Sequence, residues 1–314
     1  MNIDLPPLVV IAGPTASGKS ALAMALAESK DGVVINADSA QVYGDLRVVT
    51  ARPSAEDEAN APHRLFGHID AADTGYSAAR WAEEARTVIA EVHDAGKLPI
   101  LVGGTGLYLR TLLDGIAPVP PIASEVRAAV RALTVAQAHA ELAILDPGAA
   151  ARLHPNDTTR VLRALEVVRA TGRALADWQA ARKGGIAATV RASATILLPP
   201  RDWLEARIVA RSQEIVRSGA GEVAALLTRP DVPGDAPIRR AIGVPELSRL
   251  ASGEIDADAA LAKLTLSTRR YAKRQYTWFR HQHLTTDATM LRDYRVDAQS
   301  FNLYSAAPQQ GTQT

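Results

Sequence analysis

The chain contains no cysteine. Disulfides and thiolate metal sites are thereby excluded, and any metal must be held by oxygen or imidazole. No apolar run approaches the roughly 20 residues that span a bilayer. Met1 to Pro7 carries no basic segment ahead of an apolar one, so no signal peptide is read there. The expectation is a cytoplasmic protein with no membrane partner. No internal repeat is present. His63, His68, His139, His154, His281 and His283 show no paired helical ligand spacing beyond the close pair His281 and His283, which argues against zinc.

What the chain does hold is core-forming material, with 314 residues of which 47% are hydrophobic. That is enough for one large or two modest domains. The formal net charge of +1 hides a split: Lys and Arg crowd 152–173 and 269–280, while acids gather at Glu56 to Glu58 and Glu254 to Asp258. A polyanion responds to a local basic face rather than to the total, because each neutralised phosphate releases counterions. A near-neutral sum therefore does not exclude an RNA partner.

Leu8 to Ala12 is a short apolar run ending at Gly13, which predicts a buried strand of a parallel sheet entering a glycine loop. Ser20 to Glu28 has helical periodicity and Val33 to Ile35 makes a second buried strand, completing a βαβ unit. Trp81, Ala85, Val88, Ile89 and Val92 then mark a helix stopped at Gly96, followed by a strand at Ile100 to Val102 that runs into Gly103 and Gly104. The fold class read from this is α/β, a P-loop NTPase-like core with a parallel sheet flanked by helices, plus a helical insertion domain. The boundaries expected are 1–117 and 195–290 for the core with its C-terminal helices, 118–194 for the insertion, and 305–314 for a flexible tail. From Trp203 to about His283 the texture is helical, with Leu261, Leu264, Thr268, Tyr271, Gln275 and Trp278 along one stripe and Arg269, Lys273 and Arg280 on another face.

Gly13, Pro14, Thr15, Ala16, Ser17, Gly18, Lys19 and Ser20 match G-x-x-x-x-G-K-[ST] in full, between an apolar strand and a helix. The two glycines allow backbone angles that turn N–H groups inward as an anion nest, and the following helix adds the positive end of its dipole. Lys19 supplies a charge to the terminal phosphate, and the Ser20 hydroxyl suits Mg²⁺. The loop specifies a diphosphate or triphosphate and no more, since a kinase or ATPase uses the same cradle. One acid stands at the end of the second strand, Asp38, on the sheet edge where α/β enzymes bind ligands. It suits either orientation of Mg²⁺ or the role of base toward an acceptor; an Asp after a strand is equally often a turn former.

The phosphate loop combined with Asp38, Ser39, Ala40, Gln41, Val42 and Tyr43 resembles the tRNA dimethylallyltransferase family, also called tRNA isopentenyltransferases. Further matches follow in the family's order: Ala51 to Pro53, Pro62 to Arg64, Gly103 to Tyr108, His154 to Asp157 with Arg160 and Arg163 to Glu166, and Lys273 to Arg280, together covering roughly 8–283. The resemblance implies transfer of a dimethylallyl group from dimethylallyl diphosphate to N6 of the adenosine 3′-adjacent to the anticodon of tRNA. It implies Mg²⁺ as cofactor and the anticodon stem-loop as partner; the expectation for the chain itself is a monomer. Asp38 becomes the general base, while Lys19 and Arg211 stabilise the departing diphosphate and Thr105 stands at the reacting adenosine. By the same resemblance Asp38 to Gln41 bracket the target base, with the Gln41 amide on its edge. Arg127, Thr159, Arg160, Val161, Leu162, Arg163, Arg240, Lys273 and Arg274 contact RNA. Arg207 reads as a solvated helix-face residue, and Trp178, Trp203 and Trp278 as core.

One departure is local: after Gly243 many family members carry Tyr and a basic residue, whereas this chain has Val244, Pro245 and Glu246, which weakens an RNA contact there. Adenylate-prenylating relatives, a P-loop kinase of a small metabolite and a non-catalytic RNA-binding ATP switch are the competing readings. The region His154 to Asp157 favours tRNA over adenylate, and a kinase gives no reason for the basic C-terminal helix.

Overall fold

β-branched and aliphatic runs at Pro7–Ala12, Gly32–Asn36 and Leu98–Gly103 build the centre of the sheet. The computed structural model describes residues 5–282, 284, 287–292, 294–296 and 303–305. In chain order the first part comprises β1 (Pro7–Ala12), α1 (Lys19–Lys30), β2 (Gly32–Asn36), α2 (Ala55–Asn60), β3 (His63–Arg64), α3 (Ala78–Asp94), β4 (Leu98–Gly103) and α4 (Gly106–Asp114). Residues of β2 are buried throughout, as a strand covered on both faces requires. The α3 helix starts at Ser77, whose hydroxyl accepts from Arg80 N, and buries Trp81, Ala85, Val88, Ile89 and Val92 as their spacing predicts. Gly96, at φ 71°, turns the chain out of the helix into β4.

Two compact units divide the chain: Asp114–Gly185, and the remainder made of Met1–Leu113 with Ile186–Thr314. The smaller unit is helical, with α5 (Ser124–Arg131), α6 (Val135–Leu145), α7 (Pro147–Arg152), α8 (Thr158–Thr171) and α9 (Leu175–Ala180). Its helix starts are written locally. Thr134 and Gln137 form a capping box at α6, Asp146 caps α7 and Asp157 caps α8. Val130, Leu142, Val161 and Leu165 form a core of its own.

In the larger unit the chain continues through β5 (Arg191–Leu198), α10 (Arg201–Ser218), α11 (Ala220–Thr228), a 3₁₀ turn at Pro237–Arg240, α12 (Val244–Ala251) and α13 (Ala257–His281). Then come β6 (Asp287–Arg292), β7 (Tyr294–Val296) and β8 (Leu303–Ser305). The main sheet has six strands in the order β3-β2-β4-β1-β5-β6, all parallel. The strand expected from Thr195 begins at Arg191, because Pro7 to Val10 pair with Arg191 to Ala194 whatever the weak strand propensity of that segment. β6 was not expected. Its sequence lacks a β-branched run, and pairing with the exposed edge of β5 supplies what propensity does not. Of the tail expected at 305–314 only Ser305 is described, paired with Tyr294 in the β7-β8 hairpin; the residues after it, and His283, lie outside those described. No described helix is long and apolar enough to cross a membrane.

What positions the site is the carboxyl edge of β2, β4 and β1, three neighbours in the sheet. Gly103, the last residue of β4, packs directly on the backbone of Ala37, and an added Cβ would overlap the Ala37 carbonyl. The Gly103→Ala variant is therefore expected to lose about 1–3 kcal/mol, the usual cost of overpacking. Gly221→Ala on α11 meets open space and should change stability by no more than about 1 kcal/mol. Denaturant midpoints of the two variants check this; equal midpoints would refute it.

Candidate active site

The phosphate loop leaves the end of β1 as the motif requires. Gly13 has φ 149° and lies against the Leu197 carbonyl of β5, where a Cβ would overlap, and Gly18 has φ 90° as the residue before α1. Lys19 folds back so that Nζ donates to Pro14 O at 2.8 Å. All six residues from Thr15 to Ser20 line a cavity of about 170 Å³ with Asp38, Gln41, Arg207 and Arg211. Burial pushes the Lys19 ammonium down to about 8; Asp38 opposes that shift and Arg211 adds to it.

Asp38 is built by its neighbours on β2. Asn36, fully buried, accepts from Asp38 N through Oδ1 at 2.8 Å and donates from Nδ2 to Asp38 O and Leu65 O, each at 3.0 Å. The Asp38 carboxylate accepts from Ala40 N at 2.9 Å. Trp81 Nε1 donates to Asn36 O at 2.9 Å, and its indole stacks on Tyr108 with ring centroids 4.5 Å apart. From β4, Thr105 N donates to Ala37 O and Thr105 Oγ1 accepts from Ser39 N at 3.0 Å. Thr105 thus fixes the segment that carries Asp38. Burial first, then Asp38, raises the phenol of Tyr271 on α13 above the ordinary range, and Thr105 opposes that shift.

Arg211 stands on α10. It donates to Thr15 Oγ1 at 3.0 Å and to Thr50 O at 2.9 Å; burial lowers its pKa while Asp38 and Tyr271 raise it. Thr50 belongs to a turn held from a distance, because the Glu222 carboxylate of α11 accepts from Arg47 N, Val48 N and Val49 N at 2.8–3.1 Å. Gln41 and Arg207 make contacts here that the sequence does not display. Gln41 Nε2 donates to Thr50 O at 2.9 Å and to Ala51 O at 3.0 Å, so its amide holds this turn and lines the phosphate-loop cavity. Arg207 is no bystander on a helix face: Nε donates to Ala16 O at 2.9 Å within the loop. The residue that sequence reasoning left without a site role is Gln275, which bonds both Thr15 N and Gly104 O at 2.8 Å.

A second cavity, of about 510 Å³, adjoins the first, and Thr15, Asp38 and Arg211 line both. Its walls include Val49, Ile215, Ile242, Leu107 and Tyr108, and Ser39, Ala40, Thr105, Tyr271, Arg240 and Arg274 line it as well. Lys273 lines a separate basic groove of about 290 Å³ between α10 and α13, beside Arg201 and Arg280. Val244 and Glu246 are buried and Pro245 between them is exposed; Glu246 accepts from Gly243 N at 3.0 Å and from the Ser267 hydroxyl at 2.7 Å. In the helical unit Arg127, Thr159, Arg160 and Arg163 are exposed, Leu162 is half-buried and Val161 belongs to the core.

A parallel α/β sheet with a phosphate cradle opening onto an apolar-walled cavity, the two sharing a carboxylate and an arginine, defines a P-loop group-transfer enzyme. The chain belongs to the IPP transferase family, whose model matches residues 41–282. Among its relatives is a tRNA dimethylallyltransferase of Sphingopyxis alaskensis, 60% identical over 277 residues, 88% of this chain and 90% of that one. Another, from Erythrobacter litoralis, is 53% identical over 285 residues, 89% of each chain. A solved eukaryotic dimethylallyltransferase acting on tRNA superposes with a TM-score of 0.77 at 27% identity, over 91% of this chain and 74% of that one. The tRNA isopentenylpyrophosphate transferase of Bacillus halodurans does so at 0.62 with 33% identity, over 91% and 89%.

The lowered Lys19 pKa has a measurable consequence. As pH rises through about 8, the free protein loses the loop's positive charge, so affinity for inorganic pyrophosphate should fall above that pH. Lys19→Arg, which stays charged, should flatten the profile. Titration calorimetry across that range checks it, and an affinity independent of pH in the parent would refute it.

Proposed function

We propose that this protein transfers a dimethylallyl group from dimethylallyl diphosphate to N6 of the adenosine 3′-adjacent to the anticodon of tRNA. The observation that carries the reading is the shared wall: Asp38 and Arg211 line both the phosphate-loop cavity and the larger apolar-walled one. A diphosphate in the first cavity directs its prenyl chain toward the second, where apolar side chains replace water around it. The N6 lone pair forms the new carbon–nitrogen bond as the carbon–oxygen bond breaks, with the bonding pair leaving on diphosphate. The N6 proton passes to Asp38, whose carboxylate, tied by one bond to Ala40 N, keeps capacity for it.

Lys19 and Arg211 meet the charge that develops on the leaving group, which is where electrostatic stabilisation gains most. They stand ready without reorganisation, because Pro14 O, Thr15 Oγ1 and Thr50 O already fix them. The Ser20 hydroxyl on the phosphate-loop cavity suits a hard divalent cation. Mg²⁺ held there would neutralise diphosphate charge. Ser39, Ala40 and Thr105 then face the acceptor base, which must leave its stack to present N6 to an enclosed carboxylate. Arg240, Lys273 and Arg274 grip RNA phosphates from the larger unit. Arg127, Thr159, Arg160 and Arg163 do so from the helical unit, with Leu162 beside them, while Val161 supports that helix from the core.

The test is transfer of labelled prenyl from dimethylallyl diphosphate, with Mg²⁺, to an unmodified tRNA whose anticodon is followed by adenosines, against free AMP. Label is expected on tRNA. Asp38→Asn should lower the rate by about 10²–10⁴-fold, the range for loss of a general base, with pyrophosphate binding retained. Label on AMP alone would transfer the protein to the adenylate-prenylating relatives, and label on neither acceptor would overturn the reading.

A further inference from the structure

Gln275 lies on α13, one helical turn beyond Tyr271, and is buried. Its amide oxygen accepts from Thr15 N and its amide nitrogen donates to Gly104 O, both at 2.8 Å. These partners sit in the loops after β1 and β4, adjacent strands of the sheet, and Gly104 approaches so closely that a Cβ there would overlap Gln275 Nε2. One loop cradles phosphate. The other leads directly into Thr105, which fixes Ser39 beside Asp38. A carboxamide offers an acceptor and a donor on opposite sides of one rigid plane and carries no charge at any working pH.

We infer that Gln275 is a positioning residue that sets the spacing between the diphosphate loop and the Asp38 loop. The inference rests on the proposed transfer reaction, in which leaving oxygen, carbon and nitrogen must line up across the boundary of the two cavities. It also assigns a consequence to Thr15: its N–H is committed to Gln275, so it contributes nothing to the phosphate nest. Thr15 contributes instead through Oγ1, which holds Arg211 in the shared wall. Displacement of one loop against the other leaves each substrate's own contacts in place and spoils the alignment. The effect therefore falls on kcat rather than on binding, since a misplacement of about 1 Å can cost about 10²-fold in rate.

Gln275→Glu separates this role from a merely structural one. An ionised carboxylate still accepts from Thr15 N but turns a second acceptor toward Gly104 O, whereas the protonated acid regains a donor and restores the bridge. With the full chain, dimethylallyl diphosphate and tRNA, Gln275→Glu at neutral pH is expected to lower kcat by about 10²-fold. Pyrophosphate and tRNA affinities should stay within about threefold of the parent. The ratio of variant to parent kcat should climb as pH falls, because burial raises the carboxyl pKa toward neutrality. Gln275→Met removes both bonds without adding charge, and should show the kcat loss with no pH-dependent recovery. A ratio flat with pH in folded Gln275→Glu, kcat unchanged in either variant, or a loss carried wholly by pyrophosphate affinity would overturn the inference. A parent chain that transfers no prenyl group to tRNA would sink the transfer reading itself, and the inference with it.

Discussion

The chemistry of this protein depends on how closely the ends of β2 and β4 approach each other. At that point a glycine, Gly103, meets the Ala37 backbone with no side chain between them, and Ala37 in turn bonds Val102 O through its N–H and Thr105 N through its carbonyl. Two loops that would otherwise diverge become one surface. Asp38 and Ser39 extend from one side of this seam and Thr105 from the other, and the hydroxyl of Thr105 bonds Ser39 N across it. A carboxylate held in this way needs no reorganisation when an acceptor arrives, which is the physical meaning of a preorganised site.

The electrostatic arrangement follows from the same edge. Lys19 and Arg211 are both drawn below their ordinary pKa values by burial, and each is partly compensated by Asp38. Placing two cations near one carboxylate leaves an excess of positive charge, which suits a polyanionic ligand and costs stability in its absence. Backbone carbonyls absorb part of that cost: Pro14 O for Lys19 and Thr50 O for Arg211. The Thr50 carbonyl is available because Glu222 gathers the N–H groups of Arg47, Val48 and Val49 and so holds the turn in shape.

Legibility in the sequence followed the range of the interactions. The phosphate loop could be read because its glycines answer to backbone angles within eight residues, and Asp38 because it ends a visible strand. The buried face of α3 showed in its spacing. Gln275 carried no such signal: its partners Thr15 and Gly104 lie 260 and 171 residues away, and a Gln at helical spacing looks like any half-polar core position. Glu222 was silent for the same reason, since a carboxylate that binds backbone N–H groups 173–175 residues away leaves no pattern. Arg207 reads in the sequence as a solvated helix-face residue; only the fold shows that the Ala16 carbonyl meets its Nε. Family resemblance supplied roles for Thr105 and Arg211, but not the finding that Thr105 acts on Ser39 and Arg211 on Thr15 and Thr50.

In the proposed reaction the prenyl group passes directly between two adjoining cavities that are filled together. Initial velocities measured while dimethylallyl diphosphate and tRNA are varied against each other test it most directly. Direct transfer gives intersecting double-reciprocal lines and no label retained on the protein when the donor is supplied alone. Parallel lines, with label left on the protein, would mean a covalent prenyl-enzyme and would contradict it.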